Sequence, residues 1–331
     1  MADNSKIEWT DATWNPVTGC SIVSPGCTNC YAMKLAGTRL RNHWSRKGLT
    51  DAHKAGPVWN GRIRFNEEWL DQPLRWKRPR MIFVCAHGDL FAEGVTDDMI
   101  DKVFGVMALS PQHTFQVLTK RPERMLEYLR HVDENELDPI LRSMDNMRPT
   151  WDFFLEWPLP NVWLGVSAED QTRADERIPH LIDTPAGIRF VSAEPLLGPI
   201  DFTAWPALDW IIVGGESGRR ARPMHPDWPR QIRDDCLQMN IPLFFKQWGS
   251  WLPWEPDQSP CWKSQNGRLE DRHALFPQDF DDHPEWDDGL GYLPEHDHAA
   301  FQKVGKQEAG RLLDGRIYEQ FPHRTGADRH V

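Results

Sequence analysis

The sequence lacks any long uninterrupted apolar run. None of its apolar stretches approaches the roughly 18 residues that a membrane-spanning helix needs. The first residues, Met1–Lys6, also lack the charged-then-apolar order of a secretory signal. Both absences argue against a membrane or secreted protein. We therefore expect a globular, cytoplasmic protein with no membrane partner.

Cysteine is scarce, with 6 residues in a chain of 331, which argues against a disulfide framework in a reducing compartment. Cys85, Cys236 and Cys261 are far apart in the sequence. The other three lie together as C-x6-C-x2-C in the stretch GCSIVSPGCTNC. Such spacing favours ligands or reactive thiols at Cys20, Cys27 and Cys30.

The chain also lacks an overall positive charge. Its net charge of -11 argues against a protein that coats nucleic acid without specificity. Residues 31–80, however, hold 12 Lys and Arg against 4 Asp and Glu, whereas residues 251–331 hold 9 against 16. The basic stretch is expected either to face an anionic substrate or to form an ordinary solvated helix face.

Short apolar runs rich in Val, Ile, Phe and Trp alternate with helix-like stretches through the middle of the chain. Near-continuous apolar character is typical of parallel strands covered on both faces. Strands are predicted within 81–85, 114–118, 161–166, 188–191, 210–213 and 242–245, with an earlier one near 14–18. Helices are predicted over 31–41, 97–109, 122–131, 171–182 and 227–239.

This alternation predicts an α/β fold, a full or partial parallel β/α (TIM-like) barrel, with a doubly wound open sheet as the alternative. The barrel is expected over residues 1–250. Residues 251–331, an acidic segment rich in Trp and His, are expected to form an appendage that packs on the barrel. Its segments 301–306 and 311–316 are predicted to pair as a hairpin over the barrel mouth.

Polar residues follow nearly every predicted strand. Chemistry in a barrel lies at the carboxyl ends of the strands, although Ser, Asp and Glu there also cap the next helix. We expect these groups to bind cofactor and substrate, with Thr119, Lys120 and the adjacent Arg121 suited to a carboxylate or a phosphate. The candidate cofactor-binding residues are Asp89, Thr119, Lys120, Ser167, Glu169, Glu194, Glu216 and Lys246.

Three cysteines are one ligand short of an ordinary structural zinc site. They could bind zinc together with a distant histidine such as His87. They could also hold a [4Fe-4S] cluster whose fourth iron stays open for a small molecule. S-adenosylmethionine (SAM) can occupy that iron, and electron transfer from the cluster then cleaves its carbon–sulfur bond to give a radical.

The chain resembles a phage- and prophage-associated family of unknown function, the three-Cys-motif family, which looks like an atypical branch of the radical SAM superfamily. The resemblance covers most of the chain and rests on seven stretches: WNPVTGC (14–20), CTNCYA (27–32), LTKRP (118–122), LGVSAE (164–169), SAEPLLGPI (192–200), GGESG (214–218) and FKQWG (245–249). It implies a [4Fe-4S] cluster, SAM and an external reductant.

Two departures from the usual radical SAM pattern are visible. The usual motif is C-x3-C-x2-C with an aromatic residue before the last cysteine, whereas here the first gap is six residues and Asn29 precedes Cys30. The usual Gly-Gly-Glu follows an early strand, but here Gly214-Gly215-Glu216 comes late. Strand order therefore makes Asp89 the expected partner of the SAM amino group.

The sequence thus predicts a radical SAM-like enzyme that modifies an unidentified substrate related to nucleic acid. Two alternatives remain open. One is a zinc-dependent hydrolase or nuclease on the same barrel. The other is a non-catalytic binding module in which the cysteines hold a structural metal.

Overall fold

The computed structural model of the protein describes residues 5–151, 154–254 and 300–322. Its centre is a parallel sheet of seven strands, accompanied by three antiparallel strand pairs. In chain order the strands are β1 (Ala12–Trp14), β2 (Val17–Thr18), β3 (Thr50–His53), β4 (Gly56–Trp59), β5 (Arg64–Phe65), β6 (Met81–Val84), β7 (Thr114–Thr119), β8 (Val162–Ser167), β9 (Ile188–Ala193), β10 (Trp210–Gly214), β11 (Leu243–Gln247), β12 (Trp251–Trp254) and β13 (Ala300–Lys303).

Helices join the strands of the central sheet. They are α1 (Tyr31–Gly37), α2 (Gln72–Arg75), α3 (Asp97–Ala108), α4 (Pro122–Glu134), α5 (Asp138–Met147), α6 (Gln171–Ile182) and α7 (Asp227–Met239), with a further short helix over Lys306–Ala309. The predictions for α6 and α7 have the observed bounds, and those for α3 and α4 differ only at the carboxyl end. The first helix ends at Gly37, not near residue 41, and α5 was not predicted.

The central sheet keeps one winding direction throughout. Its strand order is β1-β6-β7-β8-β9-β10-β11, so each strand lies beside the strand of this sheet that follows it in the chain. A doubly wound sheet reverses its order partway, and that alternative is therefore wrong. The seven strands curl into a half-barrel. Within the described residues no pairing joins β1 to β11, so a full barrel is not formed there.

Two apolar cores lie on opposite faces of this sheet, because successive strand side chains point to opposite sides. The larger core lies between the sheet and its helices and includes Val84, Val117 and Val166. The concave face holds a smaller aromatic core. It consists of Trp9, Phe83, Ala86, Trp163, Ile188, Phe190, Trp210, Ile212 and Phe244. Both faces of the strands are thus buried, which explains their continuous apolar sequence.

The predicted first strand near residues 14–18 is partly wrong. The chain joins the central sheet only over Ala12–Trp14, whereas Val17–Thr18 pairs antiparallel with Arg64–Phe65 outside it. The reason is local: Pro16 has no N–H to donate to a sheet ladder. Residues 15–80 therefore form an excursion between β1 and β6 that carries the cysteines, α1 and the β3–β4 hairpin.

The predicted pairing of 301–306 with 311–316 is also wrong. Strand β13 instead pairs antiparallel with β12, and Lys306–Ala309 is helical. Trp251 Nε1 donates to the Ala221 carbonyl at 2.5 Å, which places this strand pair beside the loop that follows β10. The acidic, His-rich stretch at 280–288 lies outside the described residues.

The described part of the chain contains no helix that is both long and apolar enough to cross a membrane.

Candidate functional site

The concave face of the half-barrel becomes polar toward the carboxyl ends of its strands. Trp163 on β8 and Phe190 on β9 belong to the concave core, so alternation along each strand places Ser167 and Ser192 on the same face. These two serines are register partners and almost fully buried. Beyond the aromatic core, the concave face therefore carries the small polar side chains of Ser167 and Ser192.

Glu194 and Lys246 form an ion pair at this end of the concave face. Lys246 Nζ lies 2.6 Å from Glu194 Oε1, and both side chains are largely buried. Gly214 on β10 leaves room for the pair, since a Cβ there would lie 3.3 Å from the Glu194 carboxyl carbon. Two predicted site residues from β9 and β11 thus meet.

Lys120, which directly follows β7, is half-buried. By alternation from Leu118, which packs against the concave core, its side chain faces the same side. Among the described residues its ammonium group makes no hydrogen bond or ion pair, although it helps to lower the pKa of Glu169. Lys120 is therefore a cation available to an anionic ligand.

The cysteine loop, residues 20–30, begins at this edge of the sheet. Gly19 bridges to Gly88 just beyond β6, and it has a φ of 96° that favours glycine. A Cβ at Gly19 would overlap the Arg62 carbonyl. The chain thus enters the loop through a close backbone contact that a larger residue would disturb.

Arg121 connects the first cysteine to the strand ends. Its guanidinium lies 3.6 Å from Cys20 Sγ and 3.0 Å from Asp89 Oδ2, and it also binds Glu93 and the Ser21 hydroxyl. Asp89 in turn accepts from the Thr119 hydroxyl at 2.7 Å. Asp89 and Arg121 are both almost fully buried, so this is a desolvated charge pair beside a thiol.

Burial raises the pKa of Cys20 to about 12, and the charge of Asp89 adds to the increase. Arg121 acts in the opposite direction, because it stabilises the thiolate by charge and by hydrogen bonding. Without a metal, the Cys20 thiol is therefore protonated near neutral pH. Metal binding there must release a proton.

Glu169 holds the middle of the cysteine loop. Its Oε1 accepts the Gly26 backbone N–H at 3.0 Å, and its Oε2 accepts from Arg177 at 3.0 Å. A Cβ at Gly26 would lie 3.0 Å from the Glu169 carboxyl carbon, so the contact is tight. Burial opposes ionisation of Glu169, but the charges of Lys120 and Arg177, together with hydrogen bonds from Ser24 and the Gly26 N–H, outweigh it and lower the pKa.

Glu216 holds the last turn of the loop. Its carboxylate accepts from Asn29 Nδ2 at 2.9 Å and from Arg222 Nη2 at 2.7 Å. Arg222 also donates to the Pro25 carbonyl at 3.1 Å. Asn29, which stands where the usual motif has an aromatic residue, therefore links the cysteine loop by hydrogen bonds to the segment that follows β10.

The three thiols fit a soft metal or an iron–sulfur cluster in their chemistry and in their position on one loop, but not in their present spacing. All three lie on one loop at the carboxyl edge, and Cys20 and Cys30 contact the same small apolar cluster. Within the described residues, however, no three His, Cys, Asp or Glu side chains converge closely enough to hold a metal ion. Cluster binding would therefore have to draw the thiols together.

His87, the histidine considered as a fourth zinc ligand, is engaged elsewhere. Its Nδ1 accepts from Arg46 Nε at 3.3 Å, and its ring lies edge-on to Tyr31. Burial and, to a lesser extent, the charge of Arg46 lower the pKa of His87 to about 4. The imidazole is therefore neutral, and its Nδ1 lone pair is already used.

The structure brings the predicted site residues to one edge but divides them into two groups. Asp89, Thr119, Glu169 and Glu216 support the cysteine loop, either directly or through Arg121. Ser167, Glu194, Lys246 and Lys120 occupy the concave face. Whether any of them contacts SAM stays a prediction; Asp89 already accepts from Thr119, Arg121 and two backbone N–H groups.

The side chains that hold these carboxylates were mostly missed. Arg177 and Arg222 follow their partners by eight and six residues and gave no signal of their own in the sequence. Asn29 was noted only as a departure from a motif. The sequence suggested Arg121 for ligand binding. In the structure its guanidinium instead pairs with Asp89 and Glu93 and contacts the Cys20 thiol.

A family model described as a protein of unknown function (DUF5131) matches residues 4–322 of this chain. No curated protein and no solved structure matches it.

Proposed function

The chain belongs to the DUF5131 family, whose function is unknown, and we propose from its site that it is a radical SAM-like enzyme. In this proposal Cys20, Cys27 and Cys30 bind a [4Fe-4S] cluster, and SAM lies between that cluster and the concave face. The substrate is a nucleotide or a nucleic acid. An external reductant supplies the electron.

The observation that carries the proposal is the attachment of the cysteine loop. Side chains from three strand ends reach it: Arg121 contacts Cys20, Glu169 binds the Gly26 amide, and Glu216 binds Asn29. A loop that served only as a connection would not need three buried or half-buried polar contacts. Buried charges are costly, so their concentration here favours a positioning role.

When bound, the cluster would supply the electron that cleaves SAM. The chain's own residues provide the surroundings. Lys120 offers an unpaired ammonium group to a carboxylate, and Ser167 and Ser192 offer hydroxyl groups on the concave face. The aromatic residues below them close this face to water. A ligand here would therefore be bound at a polar mouth above an apolar floor.

Anaerobic reconstitution with iron and sulfide tests the proposal. We expect about four irons and four sulfides per chain, and an EPR signal of the reduced protein that changes when SAM is added. The Cys20→Ala, Cys27→Ala and Cys30→Ala variants should each lose most of this iron. Cys236→Ala is the matched control, because Cys236 is buried in the core on α7, and it should retain the cluster.

Stoichiometric zinc without acid-labile sulfide would overturn the radical SAM proposal in favour of a hydrolase or a structural zinc site. Retention of the cluster by all three loop variants would show that the iron is bound elsewhere. Loss of substrate-independent SAM cleavage in Lys120→Ala, with the iron content unchanged, would place Lys120 in SAM binding. Lys77→Ala, an exposed lysine ahead of β6, is the matched control.

A further inference from the structure

A cluster of stacked aromatic rings lies in the basic excursion, next to the cysteine loop. Trp44 lies 4.9 Å from Trp69 between ring centroids, and His43 stacks on Trp44 at 5.7 Å. The Trp44 side chain is 43% exposed even though it is surrounded by other rings. An exposed tryptophan held in place by its neighbours is a preformed stacking surface.

Three cations lie in the chain segments next to these rings. The Lys47 N–H donates to the His43 carbonyl at 2.9 Å, and Arg62 precedes Arg64 by two residues. Lys47 and Arg62 are exposed, and within the described residues their side chains make no ion pair. Arg64 donates to the Lys47 carbonyl at 3.0 Å, which brings Arg64 beside Lys47. We call His43, Trp44, Lys47, Arg62, Arg64 and Trp69 the Trp44 face.

Hydrogen bonds fix the Trp44 face to the carboxyl edge of the sheet. The hydroxyl of Thr18, which is two residues before Cys20, donates to the Ser45 carbonyl at 2.7 Å. Arg46 is almost fully buried and reaches His87 just beyond β6. Trp14 Nε1 donates to the Trp69 carbonyl at 2.7 Å, which ties the second tryptophan to β1. The face therefore lies beside the entry to the cysteine loop.

We infer that the Trp44 face binds single-stranded nucleic acid. Exposed aromatic rings accept bases by stacking, whereas unpaired Lys and Arg side chains accept the phosphates between them. A duplex keeps its bases stacked inside and cannot use the tryptophan in this way. The acidic residues nearest to Trp69 in the sequence are Glu67, Glu68 and Asp71. Asp71 pairs with Arg75, so these residues reduce the positive charge only in part.

Binding at this face is independent of the cluster, but its use to present a base to the cysteine loop rests on the proposed function. The two claims can be separated by experiment. Binding is measured on aerobically purified, cluster-free protein, so a failed reconstitution would leave this result unaffected. Conversely, a reconstituted cluster in a protein that binds no oligonucleotide would leave the proposed chemistry without this substrate class.

The test is fluorescence anisotropy with labelled oligothymidylate and oligouridylate of about 12 nucleotides, a length that single-strand sites accommodate. We expect binding that weakens steeply between about 50 mM and about 200 mM salt. Trp44→Ala should weaken it by roughly tenfold or more, since a base can no longer stack there. Trp44→Phe keeps a ring and should recover most of the affinity.

Charge reversal provides the matched comparison. Lys47→Glu/Arg62→Glu should weaken binding and lower the slope of log affinity against log salt by about 0.7 for each phosphate that is no longer neutralised. Lys77→Glu/Arg78→Glu alters the net charge equally, in the same basic segment, but immediately before β6 and so at the opposite edge of the sheet. That control should bind as the unaltered chain does.

Equal losses in both reversal variants would mean that only net charge matters and would overturn the assignment. Tighter binding of a duplex of the same sequence would also overturn it, as would unchanged binding in Trp44→Ala. Vesicles of phosphatidylserine and phosphatidylcholine serve as competitors. If they displace the oligonucleotide and Trp44→Ala abolishes vesicle binding alone, the face is a membrane surface instead.

Discussion

The two edges of the central sheet use charge in different ways. At the carboxyl edge, the pairs Arg121–Asp89, Arg177–Glu169 and Arg222–Glu216 leave no side chain more than 13% exposed. At the amino edge, charged residues from 5–11 and 78–80 surround an open surface pocket of about 480 Å³. The Arg130–Asp183 pair, where α4 and α6 return to the amino edge, is 55% and 62% exposed.

The difference shows that the fold accepts the free-energy cost of burying paired charges at the carboxyl edge. An exposed ion pair contributes about 0–1 kcal/mol, whereas a buried pair must overcome the loss of water around both charges. The apolar cores could hold the sheet together without exposed or buried ion pairs. The buried pairs at one edge therefore serve to position the cysteine loop, and the amino edge has the charges of an ordinary surface.

The largest expected effect is at Arg121. Arg121→Ala leaves Asp89 buried without its cation, so we expect the free energy of unfolding to fall by about 3–5 kcal/mol. Arg78→Ala at the amino edge should change it by less than about 0.5 kcal/mol. Urea unfolding followed by tryptophan fluorescence measures both. Similar losses in the two variants would remove the distinction between the edges.

His87 provides a test by pH. Its pKa is about 4 in the folded chain, against an ordinary value of 6.5, so between these values the unfolded chain binds a proton that the folded chain does not. The contribution of this group to stability is complete above about pH 6.5 and is lost as the pH falls toward 4. The loss should reach at most about 3 kcal/mol.

His87→Gln should flatten the decrease in stability over that pH range. His131, in the last turn of α4, is exposed, and His131→Gln serves as the control with an unchanged profile. Unfolding in urea at several pH values from 4 to 7 gives the comparison. A decrease equally steep in His87→Gln would mean that other groups, such as the paired carboxylates, account for the acid sensitivity.

A smaller effect is expected at Asn29. Asn29→Ala removes the hydrogen bonds to Glu216 and to the Arg220 carbonyl, but Arg222 keeps Glu216 paired. We therefore expect a loss of about 1 kcal/mol, with faster amide exchange confined to the cysteine loop. Asn135→Ala, at the exposed end of α4, is the control. An identical exchange pattern in both variants would contradict the role of Asn29 in holding the loop.

Much of the fold could be predicted from local patterns. The six later strands of the central sheet and the helices α3, α4, α6 and α7 lie where apolar runs and periodicity indicated them, because each is long enough to show its own pattern. The first strand was misplaced, since its three residues, Ala12–Trp14, are too few to show any period. The β12–β13 pairing was missed because its strands are distant in the chain.

The candidate site was predictable to a different degree. Strand ends identify polar residues at one edge, and so Glu169, Glu194, Glu216 and Lys246 could be named in advance. Their partners could not. Arg177 lies within a helix and Arg222 within a loop, and both types of residue are common on surfaces. Only packing shows that these two guanidinium groups are buried against carboxylates.

By itself the sequence determined the α/β alternation, the three-cysteine loop and the set of polar strand ends, because each depends on residues close together in the chain. Only the tertiary structure decided that the sheet keeps one winding direction and remains a half-barrel. It also decided that strand-end side chains support the cysteine loop and that Trp44 stacks beside it. These outcomes depend on the free energies of contacts between segments that are distant in the chain, and a local sequence pattern does not show those contacts.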